Sequence, residues 1–339
     1  MSEEKKTPGV REVAALAGVS RQTVSRVVNA HPSLREDTRL RVLAAMEELQ
    51  FRPNRAARML STARSNTIGI LALSSSSLFG PASSIDAVEN AARDAGYFVA
   101  IAHLASLEVD EIEASLDHLM EQAVEGIVVV APQRRVLDAM RGVSIAVPSV
   151  TLHGAESTTA GDDGVFVDQG EGARMAVRHL AALGHRVVAH LAGPEDWAEA
   201  NARRDGFVHE AEAAGMRAIV SSPGDWTSAS GYRIGAELLT DPSITAVFSS
   251  NDQMALGVLH ALRLQGRSAP GDVSVVGFDD IPESAYFAPP LTTVRQDFAE
   301  LGRNCVARLL AAIEDAPTPG DPVVRPLLVV RESTAAPRV

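Results

Sequence analysis

Apolar residues recur at helical spacing over the first fifty positions and then, from Thr67 onward, gather into short blocks parted by amphipathic stretches. In VAALAGVSRQTVSRVVN, beginning at Val13, the residues Val13, Ala14 and Ala17 share one helical face, and Val24, Val27 and Val28 share the next. Gly18 supplies the backbone freedom of a tight turn between them, and the Ser20 hydroxyl is placed to cap the second helix. This layout predicts a helix-turn-helix. Its second helix turns Arg21, Gln22, Ser25, Arg26 and Asn29 to solvent, side chains that bond phosphates or base edges. Ser33-Leu34-Arg35-Glu36 fits a capping box ahead of a third helix reaching about Leu49, in which Leu40, Val42, Leu43, Met46 and Leu49 complete a small core. Phe51-Arg52-Pro53 ends that helix. Residues 54–61 then form a helical stretch too brief to hold alone in water. It either orders by pairing with its own copy or with DNA, or is an ordinary linker; composition favours neither.

Beyond Thr67 the pattern becomes strand and helix in turn. TIGILAL, YFVAIA and GIVVVA, starting at Thr67, Tyr97 and Gly126, suit strands buried in a parallel sheet, with helices near 85–95 and 112–122 between them. The segment 145–152 follows. A second series resumes after the Gly/Asp-rich stretch 161–164: a helix over 172–183, then VVAHLA at Val187, VFSS at Val247 and VSVVGFD at Val273. Such alternation predicts right-handed β-α units in doubly wound sheets. Two series imply two lobes, with a ligand crevice at the C-terminal ends of their strands.

Charge sharpens this division. The chain of 339 residues carries a net charge of −12, which taken whole argues against a nucleic-acid partner. Residues 1–64, however, hold 12 Lys+Arg against 7 Asp+Glu, a net +5, and the remainder is net −17. A basic head on an acidic body is the asymmetry of a DNA reader joined to something kept off DNA. Cys305 is the only cysteine, so no internal disulfide forms and a reducing cytoplasm fits. MSEEKKTPGV lacks the apolar core of a signal peptide, and no apolar run approaches a membrane span.

The motifs VAxxAGVSxxTVSRVVN at Val13, RPNRAAxxL at Arg52, HLxALGH at His179, LAGP at Leu191, GDW at Gly224, NDQMALG at Asn251, SVVGFDD at Ser274 and PPLTTVRQDF at Pro289 together resemble the LacI/GalR family of bacterial repressors. The resemblance runs from about Val10 to Glu332. It implies an all-α helix-turn-helix head and an α/β two-lobed core like periplasmic binding proteins, with parallel doubly wound sheets and three strands crossing between lobes. The expected domains are a head over 1–52, a hinge helix and linker over 53–64, an effector-binding and dimerisation core over 65–332, and a tail over 333–339. Within the core, the first lobe is expected at about 65–161 and 292–321, the second at about 162–291 and 322–332.

Carried over residue by residue, the resemblance places operator reading on Arg21, Gln22 and Arg26. Arg suits the O6/N7 edge of guanine and Gln suits adenine, so Arg21 and Gln22 carry half-site choice; a phosphate contact is the competing role for Arg21. Thr23, Ser25, Asn29 and Asn54 look like contacts to phosphate or sugar. Leu60 matches the hinge leucine that wedges into the minor groove at the operator centre. A lactose-responsive member of the family has tyrosine in place of Arg21, and Gly9 replaces the usual Thr/Ser cap of the first helix. The effector positions map onto Arg203, Asn251 and Asp279, with Trp226, Gln296 and Phe298 behind them. A carboxylate accepting from neighbouring hydroxyls, Arg and Asn donating, and aromatic rings against an apolar sugar face suit a carbohydrate. SSSSLFGP, Ser74 to Pro81, is a rim supplying hydroxyls and Phe79. His153 stands where the lactose-responsive member has aspartate, and Glu199 where it has serine.

The implied protein is a cytoplasmic, nucleoid-associated repressor. It forms a homodimer on near-palindromic double-stranded operator DNA and is controlled by a small-molecule effector, a sugar, bound between the lobes. STAAPRV after Glu332 has no leucine heptads for a coiled-coil tetramer, so a twofold dimer is expected. No catalytic residues, metal, cofactor or membrane partner are expected. A cytoplasmic solute receptor would lack the DNA-reading helix. An enzyme acting on a sugar or nucleoside would need an acid/base pair, but Asp279 and Asp280 are neighbours on a strand and point to opposite faces. His153, His179 and His185 lack metal-ligand spacing.

Overall fold

The computed structural model describes residues 8–28, 34–52, 59, 64–73, 78–106, 108–130, 133–140, 142–152 and 164–338. They fall into two compact units that part between Ser65 and Asn66. In the first unit, α1 (Val10–Ala17), α2 (Arg21–Val28) and α3 (Glu36–Glu48) pack around Val13, Ala17, Val24, Val27, Val42 and Ala45. Gly18 ends α1 in the left-handed region at φ 63°, and the Ser20 hydroxyl accepts from the Thr23 amide at 3.1 Å to start α2. Gly9 brings no side chain to the start of α1, where the Glu12 carboxylate instead accepts from the Gly9 amide at 2.9 Å.

Two expectations for α3 are corrected. The helix starts at Glu36 with Arg35 as its cap, so no box built on Ser33 opens it. Leu40 and Leu43 are exposed at 58% and 42%. The buried stripe runs through Val42, Ala45, Met46 and Leu49, spaced three and four apart, and Leu40 and Leu43 lie off that face.

In the second unit, β1 (Thr67–Leu73), β2 (Phe98–Leu104), β3 (Gly126–Val130), β4 (Ser149–Leu152), β5 (Gly164–Val167) and a short β11 (Val323–Val324) form a parallel sheet in the order β11-β5-β4-β3-β1-β2. Alternation along each strand sorts its residues into two layers. Ile68, Ile70, Val128, Val130 and Val165 face Val88 of α4 (Phe79–Asp94) and Cys305 and Leu309 of α11 (Phe298–Ile313). Leu71, Ile127 and Val129 face Ile112, Leu116 and Leu119 of α5 (Val109–Glu121), with Val136 of α6 (Arg134–Met140) beside them.

The second sheet runs β12-β10-β9-β8-β6-β7, from β6 (Val187–Leu191), β7 (Arg217–Val220), β8 (Ala246–Ser249), β9 (Ser274–Asp279), β10 (Thr292–Arg295) and β12 (Leu327–Val329). Only β12, against β10, is antiparallel. The helices α7 (Gln169–Ala182) and α8 (Ala198–Ala213) cover one face through Ala176, Leu180 and Phe207. The helices α9 (Ser228–Leu238) and α10 (Asp252–Leu264) cover the other through Ile234, Met254 and Val258.

The chain passes between lobes three times: from β5 to α7, from β10 to α11, and from β11 to β12. The crossing points differ from the expected lobe boundaries. Residues 164–167 and 323–324 pair in the first sheet, and 292–295 in the second. Nor are residues 333–338 a loose tail. The Ser333 hydroxyl accepts from the Thr292 amide at 2.8 Å, its carbonyl accepts from the Val275 amide, and the Ala335 carbonyl meets the His185 ring at 2.9 Å. Among the described residues no helix is long and apolar enough to cross a membrane.

Candidate functional site

On the head, α2 exposes Arg21, Gln22, Ser25 and Arg26 on one side while Val24 and Val27 are buried on the other. Thr23 is partly buried, and its hydroxyl already pairs with that of Ser20 at 2.9 Å. The presented chemistry is therefore two guanidiniums, an amide and a hydroxyl along one helical face, the donor and acceptor set that reads base edges and phosphates. Asn29, Asn54 and Leu60 lie outside the described residues.

In the core, a cavity of about 260 Å³ lies between the two lobes at the C-terminal ends of their strands. Arg203, Asn251, Asp279, Trp226, Gln296, Phe298 and Phe79 all line it. Ser74 and His153 lie outside the described residues. Arg203 is 4% exposed and turned into the cavity from α8.

A closed ring of hydrogen bonds and one ion pair organises the polar wall. Arg203 Nε donates to Gln169 Oε1 at 2.9 Å, Gln169 Nε2 to Gln296 Oε1 at 2.8 Å, and Gln296 Nε2 to Asp279 Oδ1 at 2.7 Å. The ring closes where Arg203 Nη2 meets the same Asp279 oxygen at 3.5 Å. Arg203 Nη1 donates to the Ser250 carbonyl, and the guanidinium lies 3.8 Å from the Phe278 ring centroid. Burial lowers the Arg203 pKa, against the pull of Asp279, Glu199 and Asp252, while burial pushes Asp279 up to about 6 against Arg203 and Gln296. Gln169 opens α7 and Gln296 follows β10, so both stand at crossings between the lobes.

Local sequence fixes the frame around this ring. Asp279 and Asp280 sit at positive φ, 105° and 54°, where β9 turns out of the sheet. Asp252 holds that turn from below: its Oδ2 accepts from the Ile281 amide at 2.9 Å and its Oδ1 from the Thr293 hydroxyl at 2.6 Å. Gly277 leaves room for it, since a Cβ there would lie 2.1 Å from Asp252 Oδ1. Asp280 faces away from the cavity to Arg295 and Arg331, at 2.6 Å each, so the two neighbouring carboxylates do separate structural tasks.

Asn251 lines the cavity and also holds its frame. Its Oδ1 caps α10 by accepting from the Met254 amide at 2.8 Å, and its Nδ2 donates to the Trp226 carbonyl at 3.0 Å. It positions Trp226, which stands at φ 71° and meets the Trp197 ring edge-on at 5.3 Å. Gly193 is required beneath that ring, because a Cβ would come within 2.6 Å of it. Across the cavity, Phe79 and Phe298 form a second edge-on pair at 5.8 Å.

Sequence reading missed Gln169, Gln253, Trp197 and Leu78, which also line the cavity. Gln169 closely follows β5 and Trp197 lies in the loop after β6, and the rule that ligands sit beyond strand C-termini was the available signal. Leu78 lies at the start of α4 yet packs on the second lobe's core. Nearby, Arg135 pairs with Asp196 at 2.8 Å and Gln133 bridges Trp197, joining the lobes over the cavity.

A small helical reading head and a two-lobed cleft protein on one chain define a ligand-responsive regulator. A family model described as bacterial regulatory proteins, lacI family, matches residues 10–54, and one described as a periplasmic binding protein-like domain matches residues 177–334. The lactose operon repressor of Escherichia coli K12 is 35% identical over 332 residues, covering 96% of this chain and 90% of that protein. The HTH-type transcriptional repressor PurR of Escherichia coli O139:H28 is 33% identical over 331 residues, 96% of each. The crystal structure of the lac repressor dimer bound to operator and the anti-inducer ONPF aligns with a TM-score of 0.81 at 33% identity, over 98% of this chain and 100% of that one. The transcriptional regulator CelR–cellobiose complex aligns at 0.68 and 31%, over 96% and 99%. The chain belongs to the lacI family of bacterial regulatory proteins, and is a DNA-binding transcriptional repressor with a ligand-binding core.

Proposed function

We propose that this repressor acts in the cytoplasm as a homodimer on a near-palindromic operator, and that a sugar bound between its lobes controls its grip. Arg21, Gln22 and Arg26 read the operator, with Arg21 and Gln22 choosing the half-site; Thr23, Ser25, Asn29 and Asn54 hold phosphate or sugar, and Leu60 wedges the centre. The observation that carries the sugar reading is the Arg203–Gln169–Gln296–Asp279 ring set between aromatic pairs: polar groups for hydroxyls beside flat apolar faces. The relatives support it, since one is named for the lactose operon and another is held with cellobiose.

The same ring supplies a route from ligand to DNA. Groups that bind at Asp279 and Arg203 pull on Gln169 and Gln296, which stand at two of the three crossings between lobes. Ligand binding thereby biases lobe position, a coupling free energy between distinct sites. A thermal-shift screen of the full chain against sugars and nucleosides tests the reading. Bound ligand raises the melting temperature by mass action; sugars are expected to give the largest rise, and a rise confined to nucleosides would replace the sugar with a nucleobase ligand.

A further inference from the structure

Three buried polar atoms on the cavity wall have no hydrogen-bond partner among the described residues: Glu199 Oε2, Gln253 Oε1 and Trp226 Nε1. Two of the three are acceptors. The basic residue lining the cavity, Arg203, already has each of its nitrogens on a protein acceptor. Among the described residues, unmet demand in this site is therefore for hydrogen-bond donors, and an anionic ligand would find no uncommitted cation.

Glu199 makes the demand specific. It stands in the first turn of α8, one turn before Arg203, with Asp279 facing it from β9. Arg203 balances one carboxylate, and Asp279 takes that balance. A second carboxylate in the same sealed wall is an uncompensated buried charge. Burial accordingly pushes Glu199 up to about 7, although Arg203 opposes it. A ligand hydroxyl can donate to this oxygen but leaves the charge in place. A cationic nitrogen on the ligand removes the imbalance, and Trp197 lines the cavity with Glu199, the Trp226 ring being taken by the Arg203 guanidinium at 5.6 Å.

We propose that Glu199 is a specificity residue that selects a sugar bearing an amino group, its unpartnered oxygen accepting from the ligand ammonium. This rests on the sugar reading of the cleft and narrows it. The test is isothermal titration calorimetry of the full chain at pH 7.5 with glucosamine, galactosamine and glucosamine disaccharide. Glucose, galactose, lactose and cellobiose are the neutral arm; glucose 6-phosphate and galacturonate are the anionic arm. At least one amino sugar is expected to bind tenfold or more tightly than its neutral parent. Glu199→Gln, verified as folded by its melting curve, is expected to bring that ratio close to one. Neutral parents binding as tightly as amino sugars, an anionic sugar binding best, or a ratio that survives Glu199→Gln would each overturn the proposal while leaving the sugar reading standing. Binding by none of the sugars, neutral, cationic or anionic, would overturn the sugar reading and this proposal with it.

Discussion

The two lobes present unlike walls to the same cavity. Among the described residues, the first lobe contributes Leu78, Phe79, Val130, Leu152, Phe166 and Phe298, nearly all apolar. The second contributes the polar and charged groups Glu199, Arg203, Asn251, Gln253 and Asp279 beside the Trp197–Trp226 pair. Apolar contacts are undirected, whereas a buried donor or acceptor tolerates only a partner of the right kind. One lobe therefore discriminates and the other covers.

The largest effect expected from this division is on the discriminating wall. Arg203→Ala leaves Asp279 without its counter-charge and breaks the ring at two points, so a loss of about 3–5 kcal/mol is expected in denaturant unfolding of the core, together with the ligand response. A loss under about 1 kcal/mol would mean that the pair is not the keystone of that wall.

A smaller effect follows from pH. A carboxyl raised by burial holds its proton more tightly folded than unfolded, so its stabilising share is complete below the unfolded value and is lost as pH climbs through the folded one. Glu199 rises from 4.5 to about 7 and Asp279 from 3.8 to about 6. The share of stability owed to Glu199, read as wild type minus Glu199→Gln, is therefore expected to fall between about pH 4.5 and 7.5 by roughly 2–3 kcal/mol, while buried His190, held down to about 3, works in the opposite sense up to about pH 6.5. Melting curves across that range check it, and Glu199→Gln should flatten the upper part. Wild-type and Glu199→Gln curves that stay parallel from about pH 5 to 7.5 would contradict the burial of Glu199.

On the covering wall, Phe298→Ala removes one ring of an aromatic pair, and a loss of ~1–2 kcal/mol in affinity is expected for every ligand alike. Ratios between ligands should stay fixed, as a calorimetric series would show. A changed ranking would give the first lobe a share in selection and break the comparison.

How much of this could be read from residues alone depended on range. The strands were legible because TIGILAL and GIVVVA are buried on both faces, and the head because Val13, Ala17, Val24 and Val27 keep helical spacing. Arg203 was legible as a site residue, by family resemblance, but not as a buried one, since it neighbours Arg204 and Asp205 on a polar stretch of helix. Gln169 and Gln296 are 127 residues apart, and nothing local in either announces a bond between them. The lobe boundaries failed for the same reason: which sheet β5, β10 and β11 join is decided by pairing partners distant in the chain. Leu40 and Leu43 were misplaced because apolar character alone does not say which helical face meets the core.

The most direct measurement titrates the sugar that gives the largest thermal shift into the full chain bound to a twofold-symmetric duplex recovered by in vitro selection, and follows DNA affinity by fluorescence anisotropy. Wild-type affinity is expected to change at least tenfold with the sugar, while Asp279→Ala binds the duplex and does not respond. An Asp279→Ala protein whose DNA affinity shifts as much as the wild type's would contradict control from this cleft.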